Sequence, residues 1–438
     1  MKLLVALAVI SSLSSSIVSG NEDLTNALAV HEAGIGELDI YEIFNSTDIC
    51  RNETLILNFT NSLTVNRNFI VSPSIRCISV KIRDVIIREG AFDLVPSLQY
   101  LDLRENNIAP EELFSFGKLP NVKVLHLGNQ NYRYMQNLVV RAEYPELVYL
   151  ELRNAGINNI RTTSNNIFPK LRYLDLSVNE INRLPLDFLP DTLTHLDVSG
   201  NQISDFSLTR RNNLSSLRLD NNMIRLISED YSGLNLKGLT NLLYLSVANN
   251  RISSITWGAF ENMVNLRYLD LSSNSVPHYM YEMLQPLTSL EILILDKNSF
   301  TQIPNLPGLN LIELSLRFNN MTYLKNYALD MSRLKKLYLS ENMITMVDVN
   351  AFQRVNLLEE LHLDNNRLTN LIGGWCRLMP NLRYLDLSGN KFVSLESAIY
   401  SPRLPIKELH FERNPLAYIN TSILEIIPKN MTIYLNVS

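Results

Sequence analysis

One pattern constrains this chain more than any other. Apolar residues recur at the first, fourth, sixth and eleventh positions of a unit that carries Asn at its ninth, and the unit repeats along most of the sequence. The clearest copies are LRYLDLSVNEI from Leu171, LRYLDLSSNSV from Leu266, LEELHLDNNRL from Leu358 and LRYLDLSGNKF from Leu382. First positions fall at Leu98, Val122, Leu147, Leu171, Leu193, Leu214, Leu242, Leu266, Leu290, Leu311, Leu334, Leu358, Leu382 and Ile406, at steps of 21 to 28 residues and most often 24. A degenerate copy starts at Ile75, and a poorer one lies around Leu55 and Leu57.

Within each unit the apolar fourth and sixth positions alternate with polar ones, which is the period of a short strand with one buried face. A single unit cannot bury that face alone, so successive units must stack and share one core. Burial of each leucine contributes roughly 1.5 to 3 kcal/mol, enough to offset chain ordering only when several turns are stacked. The pattern therefore predicts an α/β repeat solenoid with a parallel sheet on its inner, concave face and irregular, 3-10 or helical segments on the convex side. The ninth position is Asn in twelve of the fourteen clear copies, where a side-chain amide can satisfy backbone groups that turn inward after the strand. The exceptions are Gln130 and Ala155. Ala155 predicts an irregular turn over residues 143–160, with Asn154 as its substitute. Aromatics six residues before the next first position, at Phe92, Phe116, Phe260 and Phe352, read as core, and Cys376 in the same slot reads as a buried thiol.

Residues 1–20 combine Lys2, an apolar run over 3–10 and a Ser-rich tail ending at Gly20, the form of a secretory signal peptide. The expected organisation is a signal at 1–20, an N-terminal cap at 21–74, an array of about fifteen repeats at 75–416 and a C-terminal cap at 417–438 without a cysteine cluster. That last cap is expected to pack Leu424, Ile426, Ile427, Ile433 and Leu435 over the final turn. No later run of about eighteen apolar residues predicts a membrane span. Eight glycosylation sequons, at Asn45, Asn52, Asn58, Asn213, Asn320, Asn420, Asn430 and Asn436, fit a secreted, extracellular chain. A net charge of −5 without a basic stripe argues against nucleic acid as a partner. Cys50 and Cys77 stand 27 residues apart, close to one repeat, so they would meet on neighbouring turns at disulfide distance; two separate buried thiols are the alternative.

The LDLSxN copies and the segment GAFDLVPSL at 90–98 resemble extracellular leucine-rich-repeat proteins: Toll-type receptor ectodomains, chaoptin-like adhesion proteins and acid-labile-subunit-like secreted proteins. The resemblance covers about residues 75–416. It implies a horseshoe and a non-catalytic binding role, since fold alone does not specify the ligand. Members usually carry cysteine clusters at both ends of the array, and here only Cys50 and Cys77 stand at the start.

Positions three, five, seven and eight of each repeat are expected on the inner face. Fifteen acidic side chains fall there, including Asp175, Asp197, Asp220, Asp270, Asp296 and Asp386, against seven Lys/Arg. Such a face would steer a basic partner, although consensus on a solvated sheet would place the same acids there. Tyr268 belongs to a recurring third-position tyrosine series. Ile292, Ile294, Phe318 and Tyr338 stand where solvated residues are expected, and with Asp270, Asp296, Arg317 and Lys336 around them they predict an exposed apolar binding patch on neighbouring turns. The alternatives at that patch are local drift and homodimer packing. His126, His195, His362 and His410 sit on separated turns or lack metal-ligand spacing and read as surface residues, so no metal or cofactor is expected. Gly34 and Gly36 lack a third glycine and a preceding strand, and no nucleophile signature occurs. The predicted function is non-enzymatic recognition of extracellular protein or microbial ligands, in immunity or as a soluble Toll-type decoy. Cell adhesion or matrix organisation is the alternative.

Overall fold

The computed structural model describes residues 50–436 apart from 51–53, 60–62, 83, 131, 133, 164–165, 186–187, 209–212, 231, 278–280, 307 and 400–404. The expected signal segment and the sequons Asn45 and Asn52 lie outside the described residues. Seventeen short strands, from Thr54–Asn58 to Thr432–Tyr434, form one parallel sheet in which each turn pairs with the turns before and after it. The register is set by repeat position: Tyr173 lies opposite Tyr149 on one side and His195 on the other. A return path of some twenty residues between strands is what permits parallel pairing, since a tight hairpin would force antiparallel neighbours. On the convex side the chain forms short strand pairs, among them Gln136–Val140 with Ile157–Thr162, and short helices such as Thr421–Ile426. The fold is the predicted leucine-rich-repeat solenoid.

The core runs the length of the array. Leu174 and Leu176 are fully buried, as are Leu269, Leu271, Leu385 and Leu387 at the equivalent positions. Phe92, Phe116, Phe260 and Phe352 lie inside, and Cys376 is a free buried cysteine whose thiol is pushed up to about 11 by burial. Cys50 and Cys77 form a disulfide with their Cα atoms 5.9 Å apart. The sheet starts earlier than the clear repeats, because Leu55 and Leu57 pair with Ile78 and Val80. It also ends later, at a strand whose Ile433 pairs with Leu409. The C-terminal packing differs from expectation: Ile423 on the helix is the residue fully inserted, with Ile427, Ile433 and Leu435 partly buried beside the core, whereas Leu424 is exposed. The side chain of Ile426 lies outside what is described.

In all fourteen clear repeats the chain turns after the strand through a left-handed residue at position eight, from Glu105 (φ 64°) to Arg413 (φ 57°). Five use Asn and two use Gly, the residues that enter this region most readily. Val178 (φ 57°) is the β-branched exception and is exposed, so its side chain contributes little packing. Val178→Gly is expected to stabilise the array by about 1 kcal/mol, read as a shift in denaturant midpoint. A lower midpoint would mean that the valine side chain has a favourable role on the surface.

The position-nine amides form a second ladder. Asn366 shows the pattern: its Nδ2 donates to the carbonyls of Leu339, Leu363 and Asp364, and its Oδ1 accepts from the Ile344 N–H. Gln130 reproduces this with its longer side chain, donating to Leu103 and Leu127 and accepting from Ile108. Ala155 cannot, and the expected rescue by Asn154 does not occur, since that side chain is exposed and reaches only Asn129 at 3.5 Å. Asn179 from the following turn makes the usual ladder bond with the Ile157 N–H and accepts also from the Ala155 N–H. Within the segment expected to be irregular, Asn158 is an extra residue in the strand pair, opposite the step from Gln136 to Asn137.

Candidate binding face

Alternation along each strand sends positions three and five to the concave side while positions four and six fill the core. The surprise is how little of that side is wet. Asp102, Glu151, Asp175, Asp220 and Asp270 are all 8 % exposed or less, and His126 and His195, expected at the surface, are 5 % and 4 % exposed. The cause is lateral stacking: strands about 4.8 Å apart bring like positions of successive turns into van der Waals contact. Tyr149 stacks on Tyr173 with ring centroids 4.6 Å apart, and Tyr244 on Tyr268 at 4.4 Å. Tyr100, His126 and Tyr149 continue the first series toward the N-terminus. A second series runs Tyr338, His362, Tyr384, His410, Tyr434 at 4.4 to 5.2 Å.

Asp102, Glu151, Asp175 and Asp270 each follow a stacked tyrosine by two residues on the same strand. Asp175 and Asp270 each accept the N–H two residues ahead, from Ser177 and Ser272 at 2.8 Å, which helps end the strand. Neither has a cation within ion-pair distance among the described residues. Burial, reinforced by Asp197 across the register, pushes Asp175 up to about 7. Burial and Asp220 do the same to Asp270. Asp220 is also raised by burial, against the pull of Arg218, whose Nε lies 3.6 Å from it and 3.9 Å from Asp197. The N-terminal end is better compensated. Asp102 and Glu151 are held below the usual carboxylate range despite burial, the first by Arg104 at 2.9 Å and the second by His126 and Arg104.

The predicted apolar patch requires correction. Ile292 and Ile294 are on the concave face, but they are 4 % and 3 % exposed, because they pack with Tyr244 and Tyr268 into an apolar cluster separate from the main core. Phe318 is 39 % exposed at a left-handed turn, with Lys297 Nζ 5.2 Å from its ring centroid. Tyr338 is partly buried under Arg317, whose guanidinium carbon lies 4.2 Å from the ring centroid. The four therefore do not make one open patch: two isoleucines form a covered floor and two cation-capped aromatics form a rim. The acid Asp296 accepts from the Ser315 hydroxyl and the Arg317 N–H, and Lys336 lies 3.7 Å from Glu360.

One grouping escaped the sequence reading. His362 lies directly across the register from Asp386, and Asp364 follows two residues on, so that one ligand atom from each falls within 4.8 Å of the others. The signal in the sequence is the 24-residue offset between His362 and Asp386, one repeat length at the same repeat position. Burial and the nearby Arg317 hold the His362 pKa down to about 3, so this ring is neutral.

A stacked parallel ribbon with an acid-rich and aromatic inner face is the architecture of a leucine-rich-repeat protein. Comparison with known proteins finds the same repeat in this chain. Models described as Leucine rich repeat match residues 213–276, 240–300 and 332–392, and a further Leucine Rich repeat model matches 191–205. The chain is 25% identical over 347 residues to Transforming growth factor beta activator LRRC33 of Danio rerio, covering 75% of this chain and 43% of that protein. It is 27% identical over 321 residues to Keratocan of Gallus gallus, covering 64% of this chain and 82% of that one. Among solved structures, the Toll–Spatzle complex of Drosophila, described as a hub in development and innate immunity, superposes with a TM-score of 0.66 at 22% identity, over 87% of this chain and 55% of that one. The chain carries leucine-rich repeats and has their fold. Among the described residues no helix is long and apolar enough to cross a membrane.

Proposed function

We propose that this protein is a secreted, non-catalytic recognition module that holds an extracellular protein ligand against its concave face, with basic side chains of the partner seated among Asp175, Asp197, Asp220 and Asp270. The observation that carries this reading is the burial of Asp175 and Asp270 without a neutralising cation, although an isolated buried carboxylate is costly. Groups kept at such a cost are characteristic of functional sites, where a ligand supplies the missing charge. Tyr268, on the strand of Asp270, and Ile292 and Ile294, on the next, form an apolar floor that offers aliphatic contact beside the acids. Asp296, Arg317, Phe318, Lys336 and Tyr338 then form the far rim.

Extracellular placement is supported by the sequons: Asn58, Asn213, Asn320, Asn420, Asn430 and Asn436 are all exposed. The neighbouring Toll–Spatzle structure shows the same fold in complex with a protein. The test is binding of an arginine-rich peptide by the intact glycosylated chain at low and high salt. Association that weakens with salt, and that falls at least about tenfold in Asp197→Lys/Asp220→Lys, supports the proposal. Equal binding by that variant would remove the acidic segment from consideration. Self-association of the chain in the same measurement would favour the adhesive reading.

A further inference from the structure

We propose that His362, Asp364 and Asp386 form a binding site for a divalent transition cation of the zinc type, independent of the protein-binding role above. The donor set is one imidazole nitrogen and two carboxylate oxygens, all within 4.8 Å of one another. A mixed nitrogen and oxygen set suits Zn2+, which holds such donors at about 2.0 to 2.2 Å. Calcium is a poor fit, since it takes about six to eight oxygens.

Two features beyond proximity point to a ligand. The His362 ring is clamped between Tyr338, centroids 4.6 Å away, and Tyr384, 4.8 Å away, and makes no hydrogen bond through its nitrogens among the described residues. A ring held in place with its polar atoms unused is pre-set to donate. The carboxylates are oriented by groups behind them: the Ser388 N–H donates to Asp386 Oδ1 at 2.9 Å, and Asp364 accepts from the Ser340 hydroxyl and from Asn365 Nδ2. Outer contacts of this kind fix ligand geometry at metal sites. His410 on the next turn does not compete, because its two nitrogens face Glu408 at 2.9 Å and Glu412 at 3.3 Å. All three proposed ligands are partly exposed, so water can complete the coordination.

Zn2+ titrated calorimetrically into the chelator-stripped, glycosylated full chain is expected to show one saturable site. Affinity should fall at least about tenfold in His362→Ala and in Asp386→Asn and remain unchanged in His410→Ala. Co2+ in place of Zn2+ should give a visible absorption band that the first two variants lose. Because removing the stacked ring could disturb the strand, anomalous scattering at the zinc edge from crystals of the unaltered protein provides a second readout, with a peak expected between His362 and Asp386. Absence of saturable binding, a peak elsewhere, wild-type affinity in His362→Ala, or Ca2+ binding tighter than Zn2+ would overturn the assignment.

Discussion

Asn179→Ala is expected to destabilise the array by at least about 4 kcal/mol, more than the same change at Asn366. Asn179 donates to the carbonyls of Leu152, Leu176 and Ser177 at 2.9, 2.9 and 3.2 Å, and accepts from two N–H groups, Ala155 at 3.1 Å and Ile157 at 3.0 Å. Asn366 accepts from one, Ile344. The Ile157 bond is the ordinary one of the ladder, equivalent to that of Asn366 with Ile344, and the Ala155 N–H is an additional donor to the same oxygen. Each buried polar group left unpaired costs about 1 to 3 kcal/mol. Because interactions in a repeat array are local, hydrogen exchange should report the damage at the amides of Ala155 and Ile157 before it reaches distant turns. Equal losses for the two variants, or unchanged protection at those amides, would show that the ladder does not depend on Asn179 in this way.

The second large effect concerns pH. Asp175 and Asp270 have folded-state values of about 7, against an ordinary 3.8. The folded form thus holds more protons than the unfolded form between about pH 4 and 7, and stability falls as pH rises through that window. At one pKa unit per 1.36 kcal/mol, the two sites together withdraw on the order of several kcal/mol by pH 8. His362 opposes them below its ordinary value near 6.5, since its ring stays neutral in the folded state and the unfolded chain gains the proton. Asp102 and Glu151, held below the usual range, act only at more acidic pH. The clean measurement is therefore a difference. Asp175→Asn/Asp270→Asn should melt several degrees above the wild type at pH 8 and near it at pH 5, because an Asn Oδ1 still accepts from Ser177 and Ser272. A gap that stays constant with pH would mean that these carboxylates do not titrate in the window. Saturation with a basic peptide should narrow the gap at pH 8 if the concave acids receive its charges.

Much of this was legible in the residues. Leucines at positions four and six dictated strands with one buried face, the repeat step dictated parallel stacking, and the 27-residue spacing of Cys50 and Cys77 matched one turn closely enough to anticipate their bond. These are short-range periodicities, and a side chain's direction along a strand follows from its neighbours in sequence. What the periodicity could not convey was lateral closeness. Whether Asp175, Asp270, His126 and Ile294 are wet depends on side chains two dozen residues away on adjacent turns, and the stacked tyrosines shut water out of a face that alternation alone marks as solvated. The same cross-turn contact brings the Ala155 N–H to Asn179 rather than to Asn154, and sets His362 against Asp386. The chain's own order thus determined the stacked ribbon and which residues look inward. Only the packing of turn on turn decided which inner-face groups are dry, which are charged, and which stand close enough to act together, because burial and electrostatics are set by neighbours in space.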